Sequence, residues 1–220
     1  LFNFFGPVAR QLTECGRVVV IGISPESCKD SKKATAMRAL EGFVKAVGKE
    51  FKKAVAANLV YVQEGAESQL DAALRFFISP RTAYVSGQVL RVNKLAATAV
   101  VSDVNWAQPL AGKTALVTGA SRGIGEAIAH VLARDGAHVI CLDIPPQEAD
   151  LNRVASAIGG SILAEDITDA DAAMRIIEAA KPYGGLDIIV HNAGVTRDKT
   201  LAKMSDAQWN LVMNINLSSQ

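Results

Sequence analysis

The chain is poor in the residues that build metal sites and disulfide frameworks, with three cysteines (Cys15, Cys28 and Cys141) and three histidines among 220 residues. No two cysteines form a Cys-x-x-Cys pair and the scattered histidines offer no zinc-ligand spacing, so neither a zinc site nor a disulfide-stapled secreted domain is expected. That usage fits a reducing, cytoplasmic setting. Long hydrophobic runs are missing as well. Stretches such as Val18-Val19-Val20-Ile21 stop far short of the roughly 18 apolar residues that a membrane helix requires, and no membrane span is expected. Charge of one sign is also absent, since 23 Lys and Arg stand against 22 Asp and Glu. The basic excess of residues 1–108 (14 against 9) reverses over the remainder (9 against 13), which leaves no basic surface on the scale of a nucleic-acid binder.

What is present is apolar material, 50% of the chain at a mean hydropathy of +0.20, enough for a buried core. The opening Leu1-Phe2-Asn3-Phe4-Phe5-Gly6-Pro7 lacks the basic start and small-residue cleavage site of a signal peptide. The expectation is that these residues are a window on a longer polypeptide.

From Leu110 onward, short apolar strands alternate with helices of 3.6-residue period, the pattern of parallel βαβ units whose helices cover the sheet. Strands are expected at 114–117, 139–142, 161–164 and 186–190. The first is followed by a helix with Ile124, Ala127, Ile128, Val131 and Leu132 on its apolar face, closed by Gly136. A later helix is expected to be capped by Thr168 with Asp171 three residues on. The last opens with a Ser205-x-x-Gln208 capping box and buries Trp209, Val212 and Met213. Upstream, strands at 17–23, 59–62 and 88–92 alternate with an amphipathic helix carrying Met37, Leu40, Val44, Val47 and Phe51, and a second carrying Leu70, Leu74 and Phe77. Residues 94–109 show neither period and are expected to be a linker.

The first downstream strand runs into Thr118-Gly119-Ala120-Ser121-Arg122-Gly123-Ile124-Gly125, and a helix begins at once. Glycines in such a turn let the backbone approach a pyrophosphate, whose charge meets the unpaired N–H groups and positive dipole end of the helix. A strand-to-helix turn of this kind also occurs without any ligand. Here Asp143 ends the next strand, close to the spacing at which an acid meets an adenine ribose. A carboxylate there accepts hydrogen bonds from ribose hydroxyls and repels a 2′-phosphate, which favours NAD(H) over NADP(H). Arg122 argues the other way only if it faces the ribose, and its position in the turn does not require that.

The turn resembles the fingerprint of the short-chain dehydrogenase/reductase family, and three further segments resemble that family in order. Glu165-Asp166-Ile167-Thr168 is similar to its adenine-contacting segment, His191-Asn192-Ala193-Gly194 to its Asn-Asn-Ala-Gly, and Met213-Asn214-Ile215-Asn216-Leu217 to the helix bearing its catalytic Asn. The resemblance implies a Rossmann-type doubly wound α/β fold. It places Gly119, Ser121, Arg122, Gly123, Ile124 and Gly125 on the pyrophosphate side, Asp143 at the ribose, and Asp166 and Ile167 at the adenine. It places Asn192, Ala193 and Gly194 at the nicotinamide, and Asn216 at a proton-relay water. His191 departs from the family's first Asn. The segment 192–204 further resembles the β-ketoacyl-acyl-carrier-protein reductase branch. That implies hydride transfer from NADH to a 3-oxoacyl thioester carried by acyl-carrier protein or coenzyme A, in a protein expected to form homo-oligomers.

The family's Ser, Tyr and Lys are not found downstream, and the residues four after Tyr61, Tyr84 and Tyr183 are Gly65, Gln88 and Asp187. Residues 1–93 resemble the C-terminal half of the same fold in degenerate form, with Lys33 where the Tyr belongs, Met37 where the Lys belongs and Ile23 at the Ser. The expected organisation is therefore a non-catalytic half-domain (1–93), a linker (94–109) and the cofactor-binding half of a reductase domain (110–220), as in the two-domain high-molecular-weight branch of the family. The 220 residues alone are then expected to be inactive. Each half would also leave a buried-type sheet edge open. Two other functions remain compatible with the sequence: reduction of a different ketone, or non-catalytic nucleotide binding as a scaffold.

Overall fold

The computed structural model describes residues 2–94 and 105–219; most of the expected linker thus lies outside the described residues. The chain divides into two compact units, Leu1–Val101 and Ser102–Gln220, each built on its own parallel sheet.

The first unit begins with α1 (Phe2–Val8), β1 (Arg17–Ile23) and α2 (Ser31–Glu50). It continues through β2 (Ala56–Val62), α3 (Leu70–Ile78) and β3 (Val89–Val92), with sheet order β1-β2-β3. Asp30 caps α2 by accepting from the N–H groups of Lys32 and Lys33, a carboxylate at the positive end of the helix. Leu40, Val44 and Val47 of α2 pack on Val18, Val20, Leu59 and Tyr61, and Met37 and Phe51 flank them. Ala73 and Phe77 of α3 cover the opposite face through Val60 and Val62. Helices on both faces explain why all seven residues of β2 are buried and why its sequence does not alternate; its one polar amide, Asn58, is satisfied by the Val85 carbonyl and the Gln88 N–H. At the edge, β1 leaves Ile21 and Ile23 exposed.

The second unit runs β4 (Thr114–Thr118), α4 (Gly123–Arg134), β5 (His138–Asp143), α5 (Glu148–Ile158) and β6 (Ser161–Ala164). It then adds α6 (Ala172–Ala180), β7 (Ile188–Val190) and α7 (Asp206–Met213). Its sheet order, β6-β5-β4-β7, reverses direction beside β4, and ligands of open α/β sheets bind at the carboxyl ends of strands at such a reversal. One core layer joins Ala115, Val117, Val139 and Cys141 to Ala129, Leu151 and Val154 of α4 and α5. The other joins Leu116, Ile140 and Leu142 to Ala180 at the end of α6. Among the described residues no helix is long and apolar enough to cross a membrane.

Several local expectations are corrected. Helix α6 starts at Ala172 with Asp171 at its N-cap position. Thr168 instead bonds Asp166, through its N–H at 2.9 Å and its hydroxyl at 2.8 Å, because a short local acceptor competes with a helix start. Trp209 is 49% exposed and α7 buries none of its residues, although its capping box forms as expected. On α4 the fully buried residues are Gly125 and Ala129, Ile128 and Leu132 pack on the core as expected, and Ile124 and Val131 are exposed.

Cys141 lies fully buried in β5, and burial pushes its thiol from 9.0 up to about 11, since desolvation disfavours the thiolate. With the folded value above the unfolded one, the neutral thiol contributes stability that is complete below pH 9.0 and lost as pH rises through about 11. Iodoacetamide at pH 8.5 is expected to alkylate exposed Cys15 and spare Cys141 until urea unfolds the unit. Equal labelling of both, read by peptide mass spectrometry of the native protein, would contradict the buried placement of β5.

Candidate functional site

The site grows out of the ends of β4, β5 and β7. At the end of β4 the Thr118 hydroxyl accepts from the N–H groups of Asn192 (3.1 Å) and Ala193 (3.0 Å), which ties the segment leaving β7 to the segment leaving β4. The Asn192 amide returns the link by donating to the carbonyls of Thr118 (3.0 Å) and Gly119 (3.2 Å). This lacing brings the backbones so close that a Cβ on Gly119 would stand 3.0 Å from the Ala193 Cα, and one on Gly125 only 2.1 Å from the Gly119 carbonyl oxygen. Glycine is required at 125 on that distance alone, and at 119 by the tight approach together with φ +67°.

Past Gly119 the chain enters α4 through Arg122 and Gly123. Gly123 has φ +62° and nothing within 4 Å of where a Cβ would point, so the space before the helix N-terminus is open. The first N–H groups of α4 have no carbonyl one turn back to bond. They and the helix dipole form a donor set suited to an anion.

Beside this opening Asp143 ends β5. Its Oδ2 accepts from the Ser121 hydroxyl at 2.6 Å and the Ser121 N–H at 3.2 Å, and its Oδ1 from the Ile144 N–H at 2.9 Å. A carboxylate has about four acceptor positions, so a ribose diol arriving here would share or displace the Ser121 hydroxyl.

A cleft of roughly 380 Å³ joins these parts. Gly119, Ser121 and Arg122 line it from the turn, Asp143 from β5, Asp166 and Ile167 from the segment after β6, and Asn192, Ala193 and Gly194 from the segment after β7. Gly123, Ile124, Gly125 and Asn216 do not line it. Gly125 acts one step behind by letting α4 approach Gly119, and Ile124 is 75% exposed on the outer face of α4. Asn216 lies in a π-helical turn, Asn214–Ser218. Its Oδ1 accepts from the Val195 N–H at 2.8 Å and its Nδ2 donates to the Val195 carbonyl at 2.9 Å. The side chain braces the loop after Gly194, and its amide retains capacity for one further donor and one further acceptor contact.

Sequence reasoning missed Ile144, Gln147, Val195 and Ile215, which also line the cleft. Ile144 and Gln147 frame the Pro145–Gln147 turn directly after Asp143, and that adjacency was the available signal. Val195 and Ile215 lie inside segments quoted for the family resemblance but carry no site role there, and they reach the cleft once the fold brings the two segments together.

Open space at a helix N-terminus, backbone approach without side chains and an acid at the neighbouring strand end fit a dinucleotide by their chemistry. In the first unit, Lys33, Met37 and Ile23 are the residues that the sequence resemblance sets at the family's Tyr, Lys and Ser positions. Lys33 sits in the first turn of α2 with its N–H on Asp30, the Met37 carbonyl accepts from the Tyr61 hydroxyl at 2.7 Å, and Ile23 ends β1.

The strand order and the glycine turn define a class, and residues 113–220 match the family model described as short chain dehydrogenase. Among curated relatives, the 3-oxoacyl-[acyl-carrier-protein] reductase of Vibrio cholerae is 42% identical over 111 residues, 50% of this chain and 46% of that protein. The reductase of the same name from Escherichia coli is 43% identical over 111 residues, 49% and 45% of the two chains. A hydroxyacyl-CoA dehydrogenase of Mycobacterium tuberculosis is 40% identical over 117 residues, 49% and 37% of the two chains. The chain thus spans less than half the length of these relatives.

Proposed function

We propose that residues 110–220 form the cofactor-binding half of a reductase that uses NADH to reduce a 3-oxoacyl thioester carried by acyl-carrier protein or coenzyme A. The observation that carries it is the joining of the glycine turn, up to Arg122 at the α4 N-cap, to Asp143 in one cleft at the reversal of strand order. The relatives named above support the thioester class, and the Asp143 carboxylate supports NADH over NADPH by its charge.

In this reading the nicotinamide group, when bound, supplies the hydride. The chain's own residues bind and orient. The α4 N–H groups hold the diphosphate, Asp143 the ribose, and Asp166 and Ile167 bound the adenine end. The Thr118–Asn192 lacing fixes Ala193 and Gly194 beside the nicotinamide, and Asn216 holds the Val195 loop and a relay water. Protonation of the nascent alkoxide requires an acid with a pKa matched to neutral pH. No tyrosine of these 220 residues has a lysine four residues on, so the proposal assigns that group to residues outside them, with 1–93 as a non-catalytic half-domain.

The test is calorimetric titration of the chain with NADH and NADPH, followed by acetoacetyl-CoA addition with absorbance read at 340 nm. Tighter binding of NADH without thioester-dependent oxidation is expected. A preference for NADPH would overturn the cofactor assignment, and turnover would overturn the placement of the acid outside these residues.

A further inference from the structure

Outside the cleft, the strongest unassigned feature is a guanidinium that reaches the glycine turn from behind. Arg153, in the middle of α5, donates through Nη1 to Glu126 Oε1 at 2.7 Å and through Nη2 to Glu126 Oε2 at 3.3 Å. The same Nη2 donates to the Ser121 carbonyl at 3.2 Å. Its Nε lies 3.6 Å from Asp150, one turn earlier on the same helix. One side chain therefore links three things: the backbone of the turn, the first turn of α4 and the body of α5.

We propose that Arg153 is a positioning residue for diphosphate binding, acting by cancelling the charge of Glu126 and by holding the Ser121 carbonyl. The inference rests on the nucleotide reading above and deepens it.

Glu126 stands in the first turn of α4. An acid there stabilises the helix by answering its dipole, but the same field is what an incoming diphosphate must use, so an uncompensated carboxylate competes with the ligand. The fork of Arg153 pairs with both oxygens of Glu126, the geometry that guanidinium–carboxylate pairs adopt. The pair also holds the Glu126 carboxyl below its usual range, chiefly through the Arg153 hydrogen bond, so the acid is charged at neutral pH and its neutralisation falls to Arg153. The second contact has its own effect. With the Ser121 carbonyl held by Nη2, Ser121 is fixed in the orientation in which its N–H and hydroxyl donate to Asp143, so the turn keeps its shape beside the cleft.

The charge effect separates experimentally from a merely structural one through ligands that differ in charge. NADH and ADP-ribose carry the diphosphate, whereas adenosine does not. In Arg153→Met the dissociation constants of NADH and ADP-ribose, by calorimetry, are expected to rise about ten-fold, while that of adenosine, by NMR titration, stays within about two-fold. Adding Glu126→Gln to Arg153→Met is expected to recover most of the loss, because the repelling charge is gone although the arginine is still missing. Arg153→Lys, a point charge without the fork, is expected to fall between the wild type and Arg153→Met.

A merely structural role predicts something else: adenosine weakens in parallel, the melting temperature falls with affinity, and Glu126→Gln restores nothing. That outcome overturns the proposal, as does unchanged NADH binding in Arg153→Met. Failure of the unaltered chain to bind NADH at all would remove the nucleotide reading and this inference together.

Discussion

Gly125→Ala is expected to lower the melting temperature of the second unit by about 10 °C and to abolish NADH binding, whereas Gly123→Ala is expected to shift it by only a few degrees. The two glycines stand two residues apart in one motif, but they meet different surroundings. A Cβ on Gly125 would lie 2.1 Å from the Gly119 carbonyl oxygen, 2.8 Å from its carbon and 2.6 Å from Asn192 Nδ2. Two of those atoms are backbone held by the Thr118–Asn192 lacing, so relief requires α4 to move off the sheet. Overpacking of that kind costs about 3 kcal/mol, which corresponds to roughly 10 °C for a unit of this size. Displacing α4 also moves its N–H groups away from the ligand. Gly123 has open space at its Cβ position but φ +62°, so alanine there costs only the left-handed conformation, about 1 kcal/mol. Differential scanning calorimetry of both variants checks the pair. A Gly125→Ala unit melting within 2 °C of the wild type would mean that the Gly119 carbonyl is not against α4.

The same contrast shows which parts of the fold could be read from sequence. Strand positions were legible because each is a short apolar run closed by a turn, and the run over 17–23 coincides with β1. The start of α7 was legible because Ser205 and Gln208 make a reciprocal pair that depends on nothing distant. The buried side of α4 was legible only in part. Ile128 and Leu132 pack on the core as their period requires, but its apolar residues extend around more than one face, and the sheet took the side with Gly125 and Ala129 because small residues let the helix approach, leaving Ile124 and Val131 outside. Trp209 failed for a related reason: a periodic face is buried only if something packs on it, and sequence does not say what does.

At the site, contiguous signals survived and long-range ones did not. The glycine turn and Asp143 could be placed by spacing along one βαβ unit. The lacing of Thr118 to Asn192 spans most of the second unit, and the Asn216–Val195 brace joins a π-helical turn to the loop after β7, two segments 21 residues apart. Arg153 lies outside every motif, and only the packing of α5 beside α4 brings it to Ser121 and Glu126.

Asp143→Ala is expected to raise the dissociation constant of NADH by about ten- to a hundred-fold and to reverse the preference between NADH and NADPH. Hydrogen bonds to a charged acceptor are worth about 1.5–3 kcal/mol, which sets the scale of the first effect. The second follows from charge. The carboxylate that accepts ribose hydroxyls also repels a 2′-phosphate, and with it gone Arg122 is the cation lining the same cleft that such a phosphate meets. Alanine has a second consequence, because Asp143 also holds the Ser121 N–H and hydroxyl, so part of the lost NADH affinity reflects a loosened turn. Asp143→Asn separates the two. It keeps an acceptor for Ser121 and the shape of the side chain but removes the charge, so the NADPH-to-NADH ratio shifts as far as in alanine while the absolute NADH loss is smaller. If the ratio moves in alanine but not in asparagine, the discrimination comes from the shape of the turn rather than from the carboxylate charge. If the wild type already binds NADPH more tightly, Asp143 is an anchor for Ser121 and not a ribose ligand.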